Sequence, residues 1–212
     1  MKAHRDFEVG GKLIPKARVV IAEQTHSDLI RLCGEAEAGA GFDGKPQIAT
    51  ADGLVTATPG LYLMIRTADC TPVLFSDLHN RAVAAVHSGR EGSRRNIAGK
   101  AVRLLRERFG IMPGEITAQI GAGICPAHYE VSEELWDGFL LSLRQQGLCP
   151  DASRHRHLNI RLAIFQQLIA EGIPFRNIEQ DLACTYETPG LHSYRRDGTR
   201  NRQINLIGIE YE

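Results

Sequence analysis

The sequence predicts an α+β fold built on a mixed sheet, and three observations carry that expectation. Short β-branched or apolar runs outnumber the stretches with helical periodicity. The helical stretches do not alternate regularly with the strands, as they would in a doubly wound fold. No strand-like run is followed by G-x-G-x-x-G or G-x-x-x-x-G-K-[ST], which argues against dinucleotide and nucleoside-triphosphate folds.

Arg18-Val19-Val20-Ile21-Ala22 is short and β-branched, so it reads as a strand that delivers the chain to Gln24-Thr25-His26-Ser27. Asp52-Gly53 is a turn signal ahead of a strand at Leu54-Val55-Thr56, and Pro59-Gly60 is a second turn. Leu61-Tyr62-Leu63-Met64-Ile65 follows as an apolar strand ending near Thr67-Ala68-Asp69-Cys70. Pro72-Val73-Leu74-Phe75 and Ala82-Val83-Ala84-Ala85-Val86 read as two buried strands. Ile97, Ala101, Leu104, Leu105 and Phe109 recur at helical spacing, and Gly110 stops that helix. Residues 116–120 are again strand-like. Ser132 is an N-cap for a helix with Leu135, Phe139 and Leu143 on one face. Residues 158–170 form a third amphipathic helix, closed by Gly172 and Pro174, with Arg154-His155-Arg156-His157 on its exposed start. The alternation from Gln203 to Ile207 predicts a last strand. With no linker, charge block or fixed-period repeat, residues 1–212 read as one domain.

Composition narrows the function classes. The chain is 43% hydrophobic and 24% charged, with 25 basic and 25 acidic residues, so no overall field draws in nucleic acid or anionic lipid. No apolar run is long enough to span a bilayer, and Met1-Lys2-Ala3-His4-Arg5 leads into polar sequence, which predicts a cytoplasmic protein. The five cysteines are scattered, odd in number and without a CxxC pair, so no disulfide framework is expected.

Three metal-capable residues, His26, Cys70 and His87, sit where strands end or turn, the places where a sheet can aim side chains from distant segments at one spot. Two imidazoles and a thiolate match the ligand count of a catalytic zinc site with one position open. Their spacing alone equally allows a core thiol, a hydrogen-bonded histidine and a surface loop residue.

The surrounding blocks carry more. Gln24-Thr25-His26, Thr67-Ala68-Asp69-Cys70-Thr71-Pro72-Val73-Leu74 and Ala84-Ala85-Val86-His87-Ser88-Gly89-Arg90 resemble, in order, the laccase-domain or YfiH-like family. So do Ile120-Gly121-Ala122-Gly123-Ile124 with Tyr129-Glu130-Val131, and Ser193-Tyr194-Arg195-Arg196-Asp197-Gly198, so the resemblance runs from about Val19 to the C-terminus. It implies a four-layer α-β-β-α sandwich with mixed sheets, and a His26-Cys70-His87 site that binds zinc, with copper as the alternative, and carries catalysis. It implies purine nucleoside phosphorylase and adenosine deaminase activity, and the family has also been described as copper-dependent polyphenol oxidases and as peptidoglycan-editing factors. Three departures stand out. The family's leading strands are expected to be short or missing, the tryptophan that follows its second histidine is absent from Gly89-Arg90-Glu91-Gly92, and Ala127-His128 replaces a cysteine pair.

Other residues extend the site. Arg90 suits phosphate, by charge-assisted and bidentate contacts, or is a solvated side chain on a glycine-rich turn. Tyr194 and Arg195 suit a base or sugar, or form a charged strand edge. Asp69 could hold a ligand histidine in one tautomer or cap a turn. His128 is an acid/base candidate, a further ligand or a structural histidine, and Cys125, beside a family block, is the thiol to watch among the remaining four. The leading reading is a zinc enzyme acting on a nucleoside and phosphate. The alternatives are a phenol oxidase using copper, a Cys-His hydrolase with Cys70 as nucleophile and a module with a structural metal. Eight histidines with a single HxH are few for a multicopper oxidase.

Overall fold

The computed structural model describes residues 6–210, and Met1-Lys2-Ala3-His4-Arg5, on which the reading of the N-terminus rests, lie outside the described residues. Side-chain alternation along the strands decides how they stack. The strands β1 (Phe7–Val9) and β2 (Lys12–Ile14) form a hairpin. The strands β3 (Val19–Ile21), β4 (Ile30–Leu32), β5 (Gly53–Thr56), β6 (Tyr62–Thr67), β7 (Thr71–Asp77), β8 (Val83–Ser88), β9 (Ile116–Ile120), β10 (Ile178–Gln180) and β11 (Gln203–Gly208) divide between two larger sheets. The six-stranded sheet has the order β10-β9-β7-β8-β5-β4, and the three-stranded sheet has the order β11-β6-β3. Both are mixed: β9–β10, β4–β5 and β3–β6 are parallel, and the other pairings are antiparallel.

In β8, Ala84 and Val86 face the helices while Val83 and Ala85 face the three-stranded sheet. In β6, Leu63 and Ile65 meet that inner layer, and Tyr62 and Met64 point to the outer face. The helices α2 (Ile97–Phe109), α3 (Glu133–Gln145) and α4 (Ile160–Ala170) pack on the far side of the six-stranded sheet through Leu105, Phe139, Leu143 and Ile164. The outer face of the three-stranded sheet is covered by Ile14 and Phe7 of the hairpin and by Phe42. This is the mixed α/β architecture that the resemblance implies.

The caps follow local chemistry. Ser132 accepts a hydrogen bond from the Leu135 backbone N–H at the start of α3, and Gly110 ends α2 in the left-handed region at φ 66°. The third helix begins two residues later than the apolar pattern suggests, because the Asn159 side chain caps it by accepting from the Leu162 N–H. Arg154-His155-Arg156-His157 therefore lies in a turn ahead of the helix and not on its start, with His155 2.8 Å from Glu133. Two short helices, α1 (Arg90–Arg94) and α5 (Tyr194–Asp197), together with β1, β2, β4 and β10, are too brief to show a period in sequence.

Candidate metal centre and its pocket

His26, Cys70 and His87 arrive from three parts of the fold. His26 lies in the loop after β3, Cys70 immediately precedes β7, and His87 is the penultimate residue of β8. Because β7 and β8 pair with Thr71 opposite Ser88 and Pro72 opposite His87, the register brings Cys70 beside His87. The three ligand atoms lie within 4.8 Å of one another, and the two imidazole centroids are 5.1 Å apart at 65°.

Asp52, immediately before β5, organises this arrangement. Its fully buried carboxylate accepts from the backbone N–H groups of Thr25 (3.1 Å), His26 (3.1 Å) and Ser27 (2.6 Å), and from the Ser27 hydroxyl (2.7 Å). Those bonds hold the loop in which His26 takes φ 60°, a conformation unfavourable for a side chain with a Cβ. The same carboxylate lies 2.8 Å from His87 Nδ1, and the Asp52 carbonyl accepts from the His87 backbone N–H at 2.7 Å. A carboxylate on Nδ1 keeps a proton there, so Nε2 is the nitrogen that loses its proton when the ring coordinates a metal.

The electrostatics agree with a metal-binding set. Burial opposes ionisation of Cys70, yet the positive charge of His87 and hydrogen bonds from both histidines bring its thiol down to about 6. Burial likewise opposes charge on His87, but the Cys70 thiolate and Asp52 raise it to about 9. His26 is raised chiefly by its hydrogen bond with Cys70. Asp52 is held at about 2, against its burial, by His87 and by the hydroxyl and N–H of Ser27. The donors are thus a sulfur that ionises readily and an oriented imidazole, with a second imidazole beside them. Gly89 completes the cradle: a Cβ there would come within 2.7 Å of Cys70 Sγ and 3.4 Å of the His26 ring.

The triad lines a cavity of about 800 Å³ whose walls also carry Arg66, Arg90, Arg195, Arg200 and Arg202. Burial and the charge of nearby Arg202 both lower the Arg66 pKa, so an anion among these side chains would relieve repulsion. Asp69 is the acidic residue of the lining, and its carboxylate is occupied elsewhere. It accepts from the Thr185 hydroxyl and the Arg195 backbone N–H, both at 2.7 Å, and the carboxylate that holds the histidine is Asp52. Arg90 and Tyr194 are on the cavity wall, Arg90 beside Glu91 at 3.3 Å and Tyr194 at the exposed rim. Arg195 donates to the Glu130 carbonyl at 3.0 Å and lies 5.3 Å over the Tyr129 ring. His128 is not part of this lining; it stacks on Tyr186 with centroids 4.2 Å apart and faces Cys125 and Glu187.

Arg66, Arg200 and Arg202 line the pocket and Asp52 stands behind the triad, but none carries a motif-level signal of its own; Tyr129 lies in a family block without drawing a role there. Asp52 reads in sequence as half of an Asp-Gly turn, and the arginines are scattered over the chain.

Comparison with known proteins agrees with this fold. Residues 7–210 match the family model described as multi-copper polyphenol oxidoreductase laccase. A purine nucleoside phosphorylase of Corynebacterium glutamicum is 36% identical over 195 residues, covering 92% of this chain and 76% of that protein. A purine nucleoside phosphorylase of Bacteroides thetaiotaomicron is 32% identical over 210 residues, covering 94% and 75% respectively. The crystal structure of YlmD from Geobacillus stearothermophilus superposes with a TM-score of 0.84 at 32% identity, over 93% of this chain and 76% of that one. With the whole sheet framework and the His-Cys-His cluster falling inside these matches, the chain belongs to the laccase-domain, or YfiH-like, family.

Proposed function

We propose that this protein is a zinc-dependent enzyme acting on purine nucleosides, a phosphorylase that also deaminates adenosine, with His26, Cys70 and His87 as its metal ligands and catalytic residues. The observation that carries the reading is one cavity in which a three-donor metal cluster faces five arginines. The phosphorylase names of the relatives supply the substrate class.

Zinc held by the three side chains would supply Lewis acidity at a coordination position they leave open. The chain's own groups do the rest. Asp52 keeps one proton on His87 Nδ1, so Nε2 is the nitrogen that gives up its proton to a metal at neutral pH. Arg90, with Arg66 and Arg195, offers charge-assisted hydrogen bonds to phosphate and holds it against the nucleoside. The Tyr129 hydroxyl, pushed up to about 12 chiefly by burial, stays protonated and can donate to an oxygen of the substrate. Tyr194 at the rim is placed to stack on a base.

Incubating the protein with inosine or adenosine, with and without phosphate, tests the proposal. Phosphate-dependent release of free base, or inosine from adenosine, is the expected result. No free base and no deaminated product from the zinc-loaded protein would refute it.

A second reading is favoured by one observation, the readily ionised Cys70 thiol beside His87. It makes Cys70 a nucleophile of the Cys-His type. Such an enzyme would keep its activity after chelation, and the zinc enzyme would lose it. Copper is the other metal this donor set suits. Oxygen uptake on phenols, with stoichiometric copper bound, would select the oxidase.

A further inference from the structure

Outside the catalytic cavity, four donors converge where two distant loops meet. Cys125 opens a 3₁₀ turn, Pro126–His128, that presents His128. Cys184 and Glu187 stand at the same three-residue offset on a loop packed against it, where Thr185 N–H donates to the Gly123 carbonyl at 3.2 Å. The pattern is a pair of half-sites, C-x-x-H and C-x-x-E, brought together across 59 positions. All four ligand atoms lie within 4.8 Å of one another.

The individual separations resemble the edges of a coordination tetrahedron. With ordinary zinc bond lengths, a tetrahedral site places nitrogen and oxygen about 3.4 Å apart, and sulfur about 3.6 Å from either. Here His128 Nδ1 is 3.3 Å from Glu187 Oε1, Cys125 Sγ is 3.3 Å from His128 Nδ1, and Cys125 Sγ is 3.8 Å from Glu187 Oε1. The Cys125 backbone N–H donates to Cys184 Sγ at 3.2 Å, a contact that stabilises negative charge on the sulfur. The His128 ring is fixed by stacking on Tyr186 at an interplanar angle of 13°.

We propose that Cys125, His128, Cys184 and Glu187 form a second metal site, which takes a zinc-class divalent cation in closed, four-ligand coordination. Two thiolates, an imidazole and a carboxylate fill a tetrahedron and leave no open position, so this ion is structural. It joins the 125–128 turn to the 184–187 loop. The turn leads directly into Tyr129 of the cavity. The Thr185 hydroxyl on the loop donates to Asp69, and the Thr185 and Tyr186 carbonyls accept from the Arg196 guanidinium at 3.0 and 2.8 Å. The site therefore staples the wall that carries Tyr129 and Arg195, and it is independent of the reaction performed at the triad.

The test uses full-length Cys70→Ala, which removes the thiolate of the catalytic cluster, purified under reducing conditions. Metal analysis should find about one zinc per chain. Cobalt substitution should produce a sulfur-to-cobalt charge-transfer absorption. Adding Cys184→Ala should abolish both. Because Cys184 is buried, the exposed Glu187→Ala is the second variant; it should stay folded and bind zinc at least tenfold more weakly. A Cys70→Ala protein with no tight zinc and no charge-transfer band would overturn the proposal. So would mass spectrometry showing Cys125 and Cys184 joined as a disulfide in the reduced preparation, or wild-type zinc affinity in Glu187→Ala.

Discussion

Asp52→Asn removes one charge from a fully buried group while keeping its shape, and its effect on metal binding can be worked from the hydrogen bonds. Oδ2 accepts from Thr25 N–H, Ser27 N–H and the Ser27 hydroxyl, while Oδ1 accepts from His26 N–H and faces His87 Nδ1. An asparagine satisfies the three donors only by leaving its carbonyl at the Oδ2 position. Its NH₂ then faces the His26 N–H and His87 Nδ1. To accept from the amide, His87 must move its proton to Nε2, the nitrogen that would bind the metal. Changing such a partner typically lowers metal affinity about 10- to 100-fold, or about 1.4–2.8 kcal/mol. Competition against a chromophoric chelator at pH 7.5, in a Cys125→Ala background that lacks the second site, measures that loss directly. A folded Asp52→Asn protein with zinc affinity within about twofold of wild type, well short of that expected loss, would refute the assignment of Asp52 as the residue that orients the ligand.

Four further outcomes follow from the same geometry. Gly89→Ala should weaken metal binding without unfolding the protein, because the new Cβ meets Cys70 Sγ at 2.7 Å while φ is an ordinary −84°; unchanged zinc affinity would contradict the close approach. Zinc binding at the triad at pH 7 should release at least one proton, since Cys70, at about 6, is already ionised, His87, at about 9, must give up its charge, and His26, also raised, adds to the release; calorimetry of Cys125→Ala, which lacks the second site, in buffers of different ionisation enthalpy counts it. Asp52, at about 2 against 3.8 unfolded, contributes stability that is present above pH 3.8 and lost as pH falls through 2, worth about 2 kcal/mol. Denaturant unfolding of the metal-free protein should show this acid limb, and Asp52→Asn should lack it. The Cys70 and His87 shifts oppose one another between pH 6.5 and 9, so the pair adds little slope there. Finally, Arg90→Ala should raise KM for phosphate about tenfold or more, the loss of one charge-assisted contact, with a much smaller effect on nucleoside KM; equal effects on both would place Arg90 elsewhere in the pocket.

The strands β3, β5, β6, β7, β8, β9 and β11 and the three long helices were legible because burial imposes a period on the sequence. Val19 and Ile21 face one layer and Val20 and Ala22 the other, and that alternation survives any detail of packing. The ends were less legible where a polar cap competes with an apolar pattern, as Asn159 does with Leu158. Short elements such as β4 and β10 exist because a neighbouring strand offers hydrogen bonds, which no local pattern announces.

The site divides along the same line. His26, Cys70 and His87 are recognisable from the blocks around them, because each block is contiguous in the chain. Asp69 attracted the orienting role only by its adjacency to Cys70, whereas Asp52 takes it through a contact spanning 35 positions. Cys125 and His128 look unpaired until the fold brings Cys184 and Glu187 against them, and a search for CxxC passes over both half-sites. Local periodicity was enough for the long strands and helices, and contiguous motifs were enough for the family, the layering it implies and the three candidate ligands. Which carboxylate holds the histidine, which arginines share a cavity and how four scattered donors meet became visible in the folded chain alone. Those are long-range contacts, settled by strand register and loop packing and not by the order of residues along the chain.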